Sequence, residues 1–159
     1  MVREIFKLGK PQLYEISKEI TECDIDCLSG WITDLHDTLM NYKKIYGAGR
    51  AVAAPQIGVQ KRLLYMFIDK PYVFINPVIS FPDDEKYMLM DDCMSFPGLS
   101  VKLERYKRAD IAYLDVDFQP QQMHLEGDYS ELLQHESDHL DGILATMRAV
   151  DNKSLIYDM

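Results

Sequence analysis

The sequence predicts an α+β fold: one domain over residues 1–159, with antiparallel β-sheets packed around a central helix and another helix near the N-terminus. Three observations carry this expectation. Apolar residues recur at helical spacing early in the chain, a Leu-rich helical stretch lies near its end, and short β-type runs fill the middle. A chain of 159 residues is long enough for one domain with a substantial core. No linker, repeat or low-complexity segment divides it.

The first helix rests on Leu28, Trp31, Ile32, Leu35, Leu39 and Tyr42, a stripe that reads as core. Asp24 and Asp26 precede it and Lys43 and Lys44 lie near its end, an order that suits the helix dipole. Gly47 is a natural stop. His36 falls on the polar side of this helix, and Cys23 and Cys27 read as reduced structural cysteines. The β-type runs cover residues 63–68, 72–79, 101–103 and 111–118, with turn signals at Pro82-Asp83-Asp84 and Pro97-Gly98. His124 belongs to a predicted hairpin. The last helix opens at Asp128 as N-cap, with Glu131 as a capping-box partner. Leu132, Leu133, Leu140 and Ile143 give it an apolar surface and Gly142 a stop. Few residues follow, so any later element is short.

Composition narrows the function classes. The chain is 47% hydrophobic and 27% charged, an ordinary balance for a soluble globular protein. A formal net charge of −9 argues against direct nucleic-acid binding and favours cationic or neutral substrates over anionic ones at long range. Three irregularly spaced cysteines do not make a disulfide scaffold, and a free thiol fits a reducing compartment. No signal-peptide pattern or membrane-length apolar run is present, so the expected location is the cytoplasm, without a membrane partner.

The last helix carries the chemistry. His135-Glu136-Ser137-Asp138-His139 is an H-E-x-x-H sequence, which on a helix puts two imidazoles on one face with a carboxylate beside them. Both rings can bind one metal ion while Glu136 acts on an activated water. A helix this rich in Leu is expected to be buried, and buried His and Glu need partners, which a cation provides. The third ligand is open at this point. No Glu follows Glu136, Ala145 stands where an extended motif would have His, and Asp141 and Asp151 are weak candidates. Upstream stand Cys93, His36 and His124, with Cys23 and Cys27 behind them. Cys93 lies in a short segment, residues 90–98, bounded by turn residues, and a thiolate is a strong ligand for a borderline metal.

Three ordered motifs then resemble the peptide deformylase family across nearly the whole chain. Gly49-Arg50-Ala51-Val52-Ala53-Ala54-Pro55-Gln56 is similar to the family's G-x-G-L-A-A-x-Q, and Asp91-Asp92-Cys93-Met94-Ser95 to its E-G-C-L-S. Residues 134–140 match its Q-H-E-x-D-H-L in full. The opening Leu8-Gly9-Lys10-Pro11-Gln12-Leu13 and the central Ile75-Asn76-Pro77 also resemble that family. The resemblance implies an α+β deformylase fold, metal ligation by Cys93, His135 and His139, and Glu136 as general acid/base. It implies an oxyanion held by Gln56 and the Met94 N–H, and substrate contacts from Arg50, Ala51, Val52 and Asp92. It further implies a divalent ion, natively Fe2+ and replaceable by Zn2+, Ni2+ or Co2+.

The departures carry expectations of their own. Ala51 replaces a Gly, adding a methyl group that would narrow the substrate channel. Val52 replaces Leu. Asp91 replaces the family's Glu, and the Arg with which that Glu pairs is matched by Arg105, so Asp91 and Arg105 would support the site from behind. Asp92 replaces Gly, which would strain the backbone if the position needs glycine's angles, and it adds negative charge beside the ion. Ser100 stands where family members often carry a substrate-gripping Arg. The expected activity is metal-dependent removal of the N-formyl group from formyl-methionyl peptides or nascent-chain N-termini, releasing formate. The alternatives are a related hydrolase with another formylated or acylated substrate, or a weakly active metal-binding homologue.

Overall fold

A computed structural model describes residues 1–158. Its elements run α1 (Ile25–Tyr46), β1 (Ala51–Ala53), β2 (Leu63–Phe67), β3 (Pro71–Ser80), β4 (Lys86–Asp91), β5 (Leu99–Tyr106), β6 (Arg108–Leu114), β7 (Pro120–Glu126), α2 (Asp128–Leu140) and β8 (Leu155–Tyr157). Short 3-10 turns punctuate them, including Ala54–Ile57 after β1. The strands form a five-stranded sheet in the order β1-β2-β3-β6-β7 and a three-stranded sheet, β4-β5-β8. All strand pairs are antiparallel. This is the expected single-domain α+β architecture, with α2 packed against strands of both sheets.

The period of two along a strand explains the layering. In β2, Leu63 and Tyr65 face a cluster with Leu28, Leu35 and Leu39 of α1 and with Val52 and Ile75. Leu64 and Met66 face the opposite way, joining Phe74, Ile111 and Leu125 against Leu132, Leu133 and Leu140 of α2. β2 is therefore apolar on both faces because it is covered on both. A third cluster, with Leu13, Cys93, Phe96, Val101, Leu103 and Leu144, lies under the smaller sheet.

Both helix stops fall where expected. Gly47 is left-handed, φ 70°, and its N–H donates to the Lys43 carbonyl at 2.8 Å. Gly142 is left-handed as well, φ 72°, and a Cβ there would stand 2.5 Å from the Tyr14 carbonyl oxygen, so only glycine fits. The start of α2 differs from the expectation. Gly127, not Asp128, is the N-cap, and Asp128 is the first helical residue; no side-chain cap is made. Glu131 turns instead to Arg50.

Other departures have local causes. The β-type run 111–118 ends early, because Asp115 accepts the N–H groups of Asp117 and Gln119 and closes a turn that leads into β7. His124 does lie in the resulting β6–β7 hairpin, paired with Asp110. His36 is not on a polar face: it is half-buried, with Nδ1 2.6 Å from the Tyr65 hydroxyl and its ring edge-on to Tyr65 and Phe67. Cys23 and Cys27 are free thiols, but they are exposed rather than packed.

Candidate metal centre and active site

The H-E-x-x-H residues sit inside the molecule because α2 is covered on nearly every side; from Ser130 to Leu140 only Asp138 escapes full burial. Gln134 clamps the helix to the end of β5. Its Oε1 accepts the Tyr106 N–H at 3.0 Å and its Nε2 donates to the Tyr106 carbonyl at 2.8 Å. At the helix C-terminus Arg62 donates to the Leu140 carbonyl at 3.0 Å and pairs with Asp141.

β4 ends at Asp91 and delivers Cys93 to the same place. The chain then turns, with the Phe96 N–H on the Cys93 carbonyl at 3.1 Å. The N-terminal segment stitches this turn to the loop after β1: Phe6 donates to the Gln56 carbonyl and Leu8 to the Ser95 carbonyl. The result is a buried cluster in which ligand atoms of Cys93, His135 and His139 all lie within 4.8 Å of one another. Cys93 Sγ is 3.3 Å from His139 Nε2, and the two imidazole rings are 5.1 Å apart. One soft sulfur and two imidazole nitrogens suit zinc or a neighbouring divalent transition metal. His36, His124, Cys23 and Cys27 are not in the cluster; neither are Asp141, paired with Arg62, nor Asp151, which accepts from Ser154.

Behind the cluster lies a buried charge network. Asp91 Oδ2 accepts from His135 Nδ1 at 2.9 Å and from Arg105 Nη2 at 2.8 Å. The Asp91–Arg105 pair expected from sequence is thus present, even with the shorter side chain. Arg105 also donates to Asp138 at 2.9 Å, and Asp138 is gripped from outside by Arg148. Burial alone would raise the Asp91 carboxyl, but His135 and Arg105 hold it down at about 2. Against its own burial, His135 is held well above the usual imidazole range by Cys93 and Asp91. His139 is pushed well below it by burial and by the charge on His135.

Glu136 is 4% exposed, and its Oε2 has no hydrogen-bond partner among the described residues. Burial pushes its carboxyl up to about 7. Such an acid can both take and give a proton near neutrality. Gln56 is 1% exposed: its Oε1 accepts the Ala53 N–H, which fixes the amide so that Nε2 reaches Ser95 Oγ at 3.0 Å and points toward Cys93 Sγ at 3.6 Å. The Met94 N–H donates to no acceptor among the described residues.

A cavity of about 280 Å³ opens beside these groups. It is lined by Arg50 and Ala51 from the β1 segment, by Asp91, Asp92, Cys93 and Met94 from the end of β4 onward, and by His135 and Glu136 of α2. Val52 is placed elsewhere: it is fully buried against α1 and does not line the cavity, because alternation along β1 turns it to the other face of the sheet. Asp92 is not strained. Among the described residues the positive-φ residues other than glycine are Asn76 and Phe118, so this position has no need of glycine. Several neighbours were not legible as site residues: Ser95 on Gln56, Glu131 on Arg50, Asp138 and Arg148 behind Arg105, and Tyr42 on the cavity wall. The only sequence signal was that Ser95 and Asp138 lie within the motifs.

The polypeptide deformylase family model matches residues 2–154. The chain belongs to that family. Curated relatives include the peptide deformylase of Maricaulis maris, 35% identical over an alignment of 150 residues that covers 90% of this chain and 82% of that protein. Among solved structures, the peptide deformylase of Thermotoga maritima superposes with a TM-score of 0.86 at 32% identity, covering 95% of this chain and 99% of that one. The enzyme from Synechococcus elongatus, in complex with actinonin, gives 0.87 at 28% identity over 96% and 81%. Peptide deformylases are metal-dependent hydrolases that remove the N-formyl group from nascent peptides, and this chain is an enzyme of that class. Neither alternative raised from the sequence has a counterpart among these relatives. Among the described residues no helix is long and apolar enough to cross a membrane.

Proposed function

We propose that Cys93, His135 and His139 hold one divalent ion, and that Glu136, Gln56 and the Met94 N–H act on the formyl group of a formyl-methionyl peptide beside it. The observation that carries this reading is the convergence of one sulfur and two ring nitrogens within 4.8 Å, next to a buried carboxylate oxygen with no partner. The family resemblance points to Fe2+ as the native ion, and Zn2+, Ni2+ or Co2+ can take its place, since all accept a Cys/His2 donor set. Such an ion supplies a Lewis acid that brings the pKa of a water toward neutrality.

The chain's own groups do the rest. Glu136 takes the proton of the attacking water at its free Oε2 and delivers it to the leaving amine. Gln56 Nε2–H and the Met94 N–H face the formyl oxygen as it gains negative charge; both are fixed before the reaction, one by Ala53 and Ser95 and the other by the turn after Cys93. Asp91 and Arg105 keep His135 in one orientation and tautomer. Arg50, Ala51 and Asp92 meet the peptide along the cavity walls. A formyl carbon carries only hydrogen, and the Ala51 methyl helps exclude larger acyl groups by size. The substrate is a formylated nascent-chain N-terminus in the cytoplasm, met by a single domain spanning residues 1–159, with no direct contact to nucleic acid.

The test is formate release from formyl-Met-Ala by anaerobically prepared protein, with metal analysis on the same sample. Turnover with one bound metal ion per chain is expected. No turnover with iron, cobalt or nickel would sink the assignment of this site. In the same assay Cys93→Ala should lower the metal stoichiometry, and an undiminished value would reassign the third ligand.

A further inference from the structure

Arg50 is the single Lys or Arg among the residues lining the cavity. Its guanidinium is already engaged, donating to Glu131 at 2.7 Å. Of the carboxylates lining the same space, Asp91 is buried against His135 and Arg105, Glu131 is taken by Arg50, and Glu136 is buried. Asp92 differs from all of them: it is exposed, lines the cavity, and has no ion pair or hydrogen bond among the described residues. No cation comes from Ser100, which sits in β5 paired with β8 and does not line the cavity.

Position fixes what Asp92 can meet. The formyl carbon must lie at the Cys93–His135–His139 cluster, and Asp92 is the residue next to Cys93, its Cα about 3.8 Å away along the chain. An extended peptide leaving the cluster rises about 3.3 Å per residue. On that reading the methionine lies nearest the cluster, and Asp92, which lines the same cavity, is within reach of the one or two residues that follow it.

We infer that Asp92 is a specificity-determining residue, selecting formyl-methionyl peptides that carry a basic side chain at one of the two positions after the methionine. This rests on the reading of the site given above. An exposed carboxylate that no cation contacts directly, Arg50 acting on it only at longer range, attracts a lysine side chain and repels a glutamate, mostly through encounter and ground-state binding, and salt screens it.

The experiment measures kcat/KM for formyl-Met-Ala-Ala, formyl-Met-Lys-Ala, formyl-Met-Ala-Lys and the two glutamate counterparts, at low and high ionic strength, for the metal-loaded wild type and Asp92→Asn. At low salt the Lys peptide should be favoured over its Glu counterpart roughly three- to tenfold at one of the positions. The ratio should shrink at high salt and fall close to unity in Asp92→Asn. Asp92→Ser is a second variant of different shape and should behave alike, and melting curves of both report folding. A ratio of unity in the wild type overturns the inference. So does a ratio that survives both substitutions, which would assign the preference to the overall negative charge of the protein. If formyl-Met-Ala-Ala itself releases no formate, the site assignment fails and this inference with it; release without discrimination defeats this inference alone.

Discussion

The Asp91 carboxylate accepts the His135 Nδ1–H at 2.9 Å on the same oxygen that Arg105 holds at 2.8 Å. One atom thus fixes the ring of a candidate ligand and is itself fixed by a buried cation. Removing the carboxylate's charge should loosen the ring and weaken the basicity of its other nitrogen. Asp91→Asn is expected to lower metal affinity about 10- to 100-fold. Asp91→Glu, which restores the family's residue, should retain most of it. Competition with a chelator of known affinity measures both, and equal affinity for Asn and Asp at this position would show that Asp91 does not support the ligand.

The close fit at Gly142 yields a stability prediction independent of metal. A Cβ added there would meet the Tyr14 carbonyl oxygen at 2.5 Å and the Glu15 carbonyl oxygen at 3.0 Å, and the backbone is left-handed. Neither neighbour is a flexible side-chain end. Gly142→Ala should therefore destabilise the fold by about 2 kcal/mol or more, through strain and displacement of the 3-10 turn Pro11–Tyr14. Urea denaturation of wild type and variant gives the difference directly, and a change below about 0.5 kcal/mol would mean that the turn gives way freely.

What could be read beforehand follows the physics of each segment. α1 and α2 announced themselves through apolar spacing and glycine stops, and the H-E-x-x-H pair through its spacing alone. β2 and β3 were legible as continuous apolar runs because both faces of the sheet are covered. β4 was not: Tyr87, Leu89 and Asp91 turn inward, yet the outward positions are Met88 and Met90, so no alternation appears. β7 opens on Pro120 and is mostly polar, and β1 and β8 are three residues long, too short for any periodic signal. Cys93 could be proposed as a ligand but not placed, since its position depends on where β4 ends in space. His36 departs from the sequence expectation for a different reason. A histidine in a helix is polar by composition, but its Nδ1 had a buried hydroxyl to meet on Tyr65.

Glu136 carries an oxygen that no group among the described residues satisfies. Orphaned buried acceptors are costly, so its retention in a covered helix points to chemistry rather than packing. Glu136→Gln keeps the shape and removes the ability to shuttle a proton. It should preserve bound metal and the fold while lowering kcat about 10²- to 10⁴-fold. Metal analysis and formate release on the same preparation decide this. Undiminished turnover would take Glu136 out of the mechanism.

The same carboxyl makes the metal-free protein sensitive to pH in a definite direction. Burial raises its folded-state value from the ordinary 4.5 to about 7, so the folded protein binds this proton more tightly than the unfolded chain does. The associated stability is complete below about pH 4.5 and declines as pH rises toward about 7, beyond which the group contributes no further change. The full loss is on the order of 3 kcal/mol, from a shift of roughly two and a half pKa units at 1.36 kcal/mol each. His135 and His139 also titrate, with shifts of opposite sign, so the wild type alone is not diagnostic. Glu136→Gln keeps both histidines and removes only the carboxyl. Chelator-treated wild type should therefore lose more melting temperature between pH 5 and pH 8 than chelator-treated Glu136→Gln. Parallel pH profiles for the two proteins would mean that Glu136 is already ionised within the fold at ordinary carboxylate pH.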